Sequence, residues 1–279
     1  MTDRSAATNL QTYDAPDVVA EYAALDYLTP CERLLFDTYI KPGSAILDLG
    51  VGGGRTTAYL SRLASRYVGV DYAAAMIRAC QTKFPGLEFV VADAANLSSF
   101  SDSSFDVVVF AFNGIDYVLP DPSRRDCFKH IHRVLRRGGV LIFSSHNARA
   151  VLVYPTWNRE RVRRMATQFS AGSKILNTLL WMILASARTA VALGRSGALS
   201  LPRLAKRIPS PIFWRGEGNL VDPVHGGLLT HYSTPVSIID ELGTLQFRIE
   251  QILGNEYPHA NRPYTTDWYY YVFAKLSEG

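Results

Sequence analysis

The run Ile46-Leu47-Asp48-Leu49-Gly50-Val51-Gly52-Gly53-Gly54-Arg55 constrains this chain more than any other feature. A short apolar segment ends abruptly on glycines and is followed by a helical pattern. This is how a buried parallel strand hands over to a helix through a turn that needs residues without a Cβ. In a doubly wound sheet, ligands sit beyond the carboxyl ends of the strands, and Gly50, Gly52 and Gly54 follow the first strand at that end. A second apolar segment, Val68-Gly69-Val70, ends at Asp71, about 20 residues after the first glycine, where a carboxylate accepts both hydroxyls of a ribose. The dinucleotide fingerprint G-x-G-x-x-G needs a third small residue at position 55. Arg55 stands there, so a tight pyrophosphate-cradling turn is disfavoured.

The rhythm continues along the chain. Strands are expected at 45–49, 67–70, 87–91, 105–112 and 140–144, with helices at 55–64, 73–83 and 121–136 between them. Arg136 and Arg137 are placed to complement the last helix's dipole, with Gly138 as its cap. After a long interruption come a helix at 234–242 and two aromatic-rich strands at 247–253 and 268–275. The fold class is therefore α/β, and 279 residues suffice for one such domain with an insertion. Residues 1–146 and 228–279 form the expected nucleoside-binding domain, and 147–227 the insertion.

At this point the sequence resembles the class I, Rossmann-like S-adenosylmethionine-dependent methyltransferases. The glycine run is similar to that family's first motif, and Val68-Gly69-Val70-Asp71-Tyr72 to its acidic second-strand motif. Phe89-Val90-Val91-Ala92-Asp93-Ala94 resembles its third-strand segment, and Arg133-Val134-Leu135-Arg136-Arg137-Gly138-Gly139 the turn before strand five. The resemblance implies a seven-stranded, mostly parallel sheet with helices on both faces, whose final strand runs antiparallel. It implies S-adenosyl-L-methionine as cofactor, held by Asp48, Gly50, Gly52, Gly54, Arg55, Asp71, Tyr72, Asp93 and Ala94, with Tyr22 or Tyr13 closing over its methionine end.

A sulfonium methyl is already activated, so the chief task is to align nucleophile, methyl and sulfur. A base is needed only when the nucleophile must lose a proton. Asn113 and Asp116 follow strand four and His146 follows strand five, which puts all three near such a methyl group. His146 is the expected base, because an unperturbed imidazole titrates near neutrality. His225, His231 and Tyr232 lie where the chain returns from the insertion and are placed to approach from that side. His130 and His132, two apart on one helix, cannot share a face, and no metal site is expected.

The insertion carries the strongest charge asymmetry. Between Arg149 and Arg215 there are 12 basic residues against Glu160 alone, beside an apolar helix candidate at 175–193 broken by Asn177 and Arg188. That segment is too interrupted to span a bilayer. Basic and apolar character together suit a small-molecule acceptor that is anionic or lipid-linked, and leave open peripheral contact with a membrane through the insertion. An ordinary buried lid helix accounts for it equally well. The stretch has no nucleic-acid reader motif, so nucleic acid is not the expected partner. Cys31, Cys80 and Cys127 form no cluster and the N-terminus no secretory pattern, so a cytoplasmic location, with or without membrane association, is expected. The favoured function is methyl transfer to oxygen on a sugar, a lipid-linked glycan or another secondary metabolite. A non-catalytic cofactor-binding scaffold and a nicotinamide-dependent oxidoreductase remain the rival readings.

Overall fold

A computed structural model of the chain describes residues 9–148, 217–221, 228–259 and 266–276. The basic segment 149–216, its helix candidate at 175–193, and His225 lie outside the described residues.

Two helices, α1 (Pro16–Ala23) and α2 (Pro30–Tyr39), precede the sheet. Helix α2 begins in a capping box. Thr29 Oγ1 accepts from the Glu32 backbone N–H at 3.1 Å, the Thr29 N–H donates to Glu32 Oε2 at 2.9 Å, and Pro30 occupies the first turn. Then follow β1 (Ser44–Leu49), α3 (Thr57–Leu63), β2 (Ala64–Asp71), α4 (Ala74–Lys83), β3 (Glu88–Val91) and β4 (Phe105–Phe110). A 3₁₀ turn (Gly114–Tyr117), α5 (Asp121–Val134) and β5 (Leu135–His146) follow. The return comprises β6 (Gly218–Val221), β7 (Leu229–Tyr232), α6 (Pro235–Thr244), β8 (Phe247–Gly254) and β9 (Trp268–Lys275).

The main sheet has seven strands in the order β3-β2-β1-β4-β5-β9-β8. Pairing is parallel from β3 to β5, while β9 is antiparallel to both its neighbours, β5 and β8. This is the expected architecture. Because side chains alternate across a strand, neighbouring residues serve opposite cores. Leu47, Leu49, Val108, Phe110, Phe143, Tyr271 and Phe273 pack with Phe128 and Ile131 of α5 and Ile238 and Leu242 of α6. Ile46, Val107, Val109, Ile142, Tyr270 and Val272 pack with Leu35 and Phe36 of α2, Leu60 of α3 and Ile77 of α4. Each of the larger buried side chains contributes about 1.5–3 kcal/mol.

Three local expectations are corrected. Helix α5 stops at Val134 and β5 starts at Leu135, so Arg136 pairs with Asp106 at 2.7 Å rather than complementing a helix dipole. The register shift beside Phe105 lets the sheet absorb residues 136–139 as a bulge within β5. Strand β4 ends at Phe110, not Phe112, because Phe112 and Asn113 adopt left-handed φ values of 56° and 62°. The return also holds an unexpected hairpin, in which β6 and β7 form a separate two-stranded sheet. Among the described residues no helix is long and apolar enough to cross a membrane.

Candidate active site

The carboxyl ends of β1, β2, β4 and β5 are adjacent in the sheet, so the segments that leave them share one edge. The glycine loop leaves β1 and turns through positive φ. Gly52, at φ +53°, donates its N–H to Asp71 Oδ2 at 2.9 Å. The other carboxylate oxygen accepts from the Ala73 N–H at 2.9 Å. Burial raises the Asp71 carboxyl, and these backbone bonds oppose the rise. Each oxygen retains acceptor capacity, since a carboxylate offers about four lone-pair sites.

The N-terminal segment closes over this loop. A Cβ built on Gly53 falls 2.3 Å from the Ala23 backbone nitrogen and 2.3 Å from the Tyr22 carbonyl carbon, so only glycine permits the approach. Lys83, at the end of α4, donates to the carbonyls of Ala23 and Leu25 at 2.8 and 3.0 Å, and Asp14 accepts from the Ala75 N–H at 2.8 Å at the start of α4. The Tyr13 ring meets Tyr22, Tyr72 and Tyr117 edge-on at 5.9, 6.3 and 5.9 Å. Tyr22 and Tyr72 thus lie at the expected edge, and Tyr72 Oη is buried without a hydrogen-bond partner.

Asp93 and Ala94 follow β3. Asp93 is exposed and its carboxylate accepts from the Ala95 N–H at 2.8 Å, which shapes the turn.

Two residues expected at the cofactor face inward instead. Asp48 is 1 % exposed and accepts from the hydroxyls of Thr56 and Tyr67 at 2.7 and 2.8 Å. Burial pushes its carboxyl up to about 6, against the lowering effect of those two bonds. It ties β1 to β2 and to the start of α3. Arg55 turns its guanidinium onto Glu32, with bonds of 2.7 and 2.6 Å, and onto the Tyr27 carbonyl at 3.0 Å. Both partners of this ion pair are buried. Gly54, at φ +81°, is likewise taken up by packing: a Cβ there would lie 2.6 Å from the Phe84 ring. Gly50, at φ +60°, has the same constraint from Phe110.

On the other side of the edge, Asn113, Asp116 and His146 come together as one hydrogen-bonded cluster. Asp116 is fully buried. Its Oδ2 accepts from the His146 backbone N–H at 2.6 Å and lies 2.8 Å from Nδ1, and its Oδ1 accepts from the Ser145 hydroxyl at 2.7 Å. A carboxylate only accepts, so Nδ1 carries a proton, and in the neutral ring Nε2 then presents a lone pair. Asn113 Nδ2 lies 3.3 Å from that Nε2, while Asn113 Oδ1 is buried without a partner. The Asn113 N–H donates to Ser144 Oγ at 2.7 Å, which fixes the turn. The His146 ring lies 6.3 Å from the Tyr117 ring and 5.1 Å from the Tyr232 ring. Tyr232 therefore reaches this cluster, as anticipated for the return from the insertion.

His231 does not. It bonds to Asn219 Oδ1 at 3.0 Å and lies 3.4 Å from Asp121 Oδ1; bonding from this histidine draws the Asp121 carboxyl down to about 2. Ser144, Ser145, Glu32 and Tyr117 are the participants that sequence reasoning missed. The Thr29-Pro30-Cys31-Glu32 capping signature was a usable signal for Glu32. The serines had only their place at the end of a strand.

Comparison with known proteins sharpens this picture. Residues 46–139 match the family model described as "Methyltransferase domain". A demethylmenaquinone methyltransferase from Paenarthrobacter aurescens is 27 % identical over 142 residues, covering 50 % of this chain and 53 % of the relative. The chain thus spans about half the length of that relative, and 40–42 % of the next three. Among solved structures, a SAM-dependent methyltransferase from Methanosarcina mazei superposes with a TM-score of 0.55 at 22 % identity, covering 91 % of this chain and all of that one. The 1,6-didemethyltoxoflavin-N1-methyltransferase of Burkholderia thailandensis, solved with bound 1,6-didemethyltoxoflavin and S-adenosylhomocysteine, gives a TM-score of 0.52 at 14 % identity, over 89 % of this chain and 77 % of that one. The chain carries a class I, Rossmann-like methyltransferase fold.

Proposed function

We propose that this chain, built on a class I methyltransferase domain, transfers the methyl group of S-adenosyl-L-methionine to a hydroxyl of a small-molecule acceptor. The observation that carries the reading is the Asp116–His146–Asn113 cluster, standing on the same sheet edge as the glycine loop and Asp71. The residues present fit the cofactor. Asp71 keeps acceptor sites for a pair of ribose hydroxyls, Gly52, whose N–H bonds that carboxylate, holds the loop backbone beside it, and Tyr22, Tyr72, Asp93 and Ala94 border the same edge.

When bound, S-adenosylmethionine supplies an activated sulfonium methyl whose leaving group is a neutral thioether. The protein's own task is to hold the acceptor oxygen in line and take its proton. His146 Nε2 receives that proton as the oxygen–methyl bond forms, and Asp116 stabilises the resulting imidazolium through Nδ1. Asn113 exchanges its long contact with Nε2 for one with the acceptor, as 3.3 Å lies beyond the usual range of such bonds.

The acceptor is a sugar, a lipid-linked glycan or another secondary metabolite, anionic or lipid-linked in character. The 12 basic residues between Arg149 and Arg215 favour that choice. The relatives named for demethylmenaquinone are consistent with an apolar portion on the acceptor.

The test is calorimetric titration of the protein with S-adenosylmethionine, S-adenosylhomocysteine and NADPH, followed by a screen of acceptors for release of S-adenosylhomocysteine. Micromolar binding of the first two, weakened at least tenfold in Asp71→Ala by the loss of charge-assisted bonds of about 1.5–3 kcal/mol each, is expected. Binding of NADPH alone would overturn the reading, and cofactor binding without turnover of any acceptor would leave a scaffold in its place.

A further inference from the structure

We infer that Arg55 is a positioning residue that couples the glycine loop to the turn carrying Asn113, so that one guanidinium aligns the cofactor side of the site with the His146 side. The significance of that coupling rests on the methyl-transfer reading, but its geometry does not.

Arg55 is the last residue of the glycine run and is 9 % exposed. Its planar fork is fixed by two bonds to Glu32 and one to the Tyr27 carbonyl, which leaves its orientation little freedom. So held, the guanidinium carbon sits 4.7 Å above the Phe112 ring and 5.4 Å from the Tyr27 ring centre. Phe112 is the residue that breaks β4. It takes a left-handed φ of 56°, which is costly for a bulky side chain and persists only where its surroundings hold it. The ring is gripped on one side by Arg55 and meets Trp268 at 6.2 Å.

Two routes lead from Phe112 to His146. Asn113, also left-handed, follows directly in the chain and contacts Nε2. Trp268 is the β9 residue paired with His146 in the antiparallel ladder. A shift of the Phe112 ring therefore moves both the turn that presents Asn113 and a support opposite His146. At its other end, Arg55 is two residues from Gly53, over which α1 closes. A residue that merely pinned α2 to the sheet would need the bonds to Glu32 but not the placement over Phe112.

The experiment uses two variants. In Glu32→Met with Arg55→Met, apolar side chains replace the buried pair, an exchange that preserves folding in comparable cases. In Phe112→Leu, the ion pair stays and only the ring is lost. For each, the ring resonances of His146 are recorded by NMR in the ligand-free protein, and S-adenosylhomocysteine affinity is measured by calorimetry. The inference expects displaced His146 resonances in both variants. It further expects affinity to fall roughly three- to thirty-fold in the double variant, and to stay within about twofold in Phe112→Leu. Unmoved His146 resonances in both folded variants would overturn it and leave Arg55 as packing alone. Displacement in the double variant but not in Phe112→Leu would overturn the route through Phe112. If the unaltered protein fails to bind S-adenosylhomocysteine, the methyl-transfer reading falls, while the His146 resonances still decide the coupling.

Discussion

Removing the Asp116 carboxylate has consequences that depend on what replaces it. Three donors converge on this fully buried group: the Ser145 hydroxyl, the His146 N–H and the His146 Nδ1–H. In Asp116→Ala the hydroxyl can rotate to another partner, but the two nitrogens cannot. Each buried donor left unsatisfied costs about 1–3 kcal/mol, so the substitution should cost roughly 2–6 kcal/mol. That is a large part of the 5–15 kcal/mol typical of a folded domain, and corresponds to a fall in Tm of about 5–20 °C. Asp116→Asn behaves differently. Its amide oxygen can still accept both nitrogens, with its NH₂ turned to the Ser145 oxygen, so the His146 tautomer survives. Loss of charge assistance is offset in part because a neutral amide is cheaper to bury, and the net cost should be about 1–2 kcal/mol. Catalysis would suffer more, because the imidazolium formed during proton transfer loses its counter-charge. About 2–3 kcal/mol there is a fall in turnover on the order of a hundredfold. Urea denaturation measures the stability of both variants, and S-adenosylhomocysteine release measures turnover of the Asn variant. An Ala variant within about 1 kcal/mol of the unaltered protein, or an Asn variant as costly as Ala, would refute the accounting of donors.

Three further outcomes are expected. Burial lifts the Asp48 carboxyl from 3.8 to about 6; its folded value exceeds its unfolded one, so its contribution is fully present below about pH 4 and is lost as pH rises through 6, by about 3 kcal/mol. Urea unfolding across pH 4–7 should therefore show a component of declining stability that Asp48→Asn removes, and the same slope in both proteins would contradict it. Gly53→Ala should push α1 off the glycine loop, since the added methyl meets backbone 2.3 Å away rather than a movable side chain; faster amide exchange in 16–23 at unchanged overall fold is the readout. Arg55→Met alone should destabilise by about 3–5 kcal/mol by leaving Glu32 buried and unpaired, while the double replacement with Glu32→Met should recover most of that loss, measured by thermal unfolding.

What the sequence determined by itself follows from short-range chemistry. Alternating apolar runs and helical patterns specified the strands of the seven-stranded sheet but not the β6–β7 hairpin, and glycines at strand ends marked the loop, because positive φ is a local requirement that Gly52 meets and larger residues resist. The Asn113, Asp116 and His146 cluster was legible for a related reason. Consecutive βα units place β4 beside β5, so residues leaving their carboxyl ends become neighbours whatever the details of packing. The direction of side chains at the loop's end was not legible. Asp48 and Arg55 belong to the same motif as the glycines, yet Asp48 turns to Thr56 and Tyr67, and Arg55 to Glu32, partners 8, 19 and 23 residues away. The left-handed break at Phe112 interrupts a segment whose β-branched and aromatic composition favours an extended strand. Such choices are settled when a buried charge finds its counter-charge and a ring finds its pocket, and those partners are assembled only by the tertiary fold.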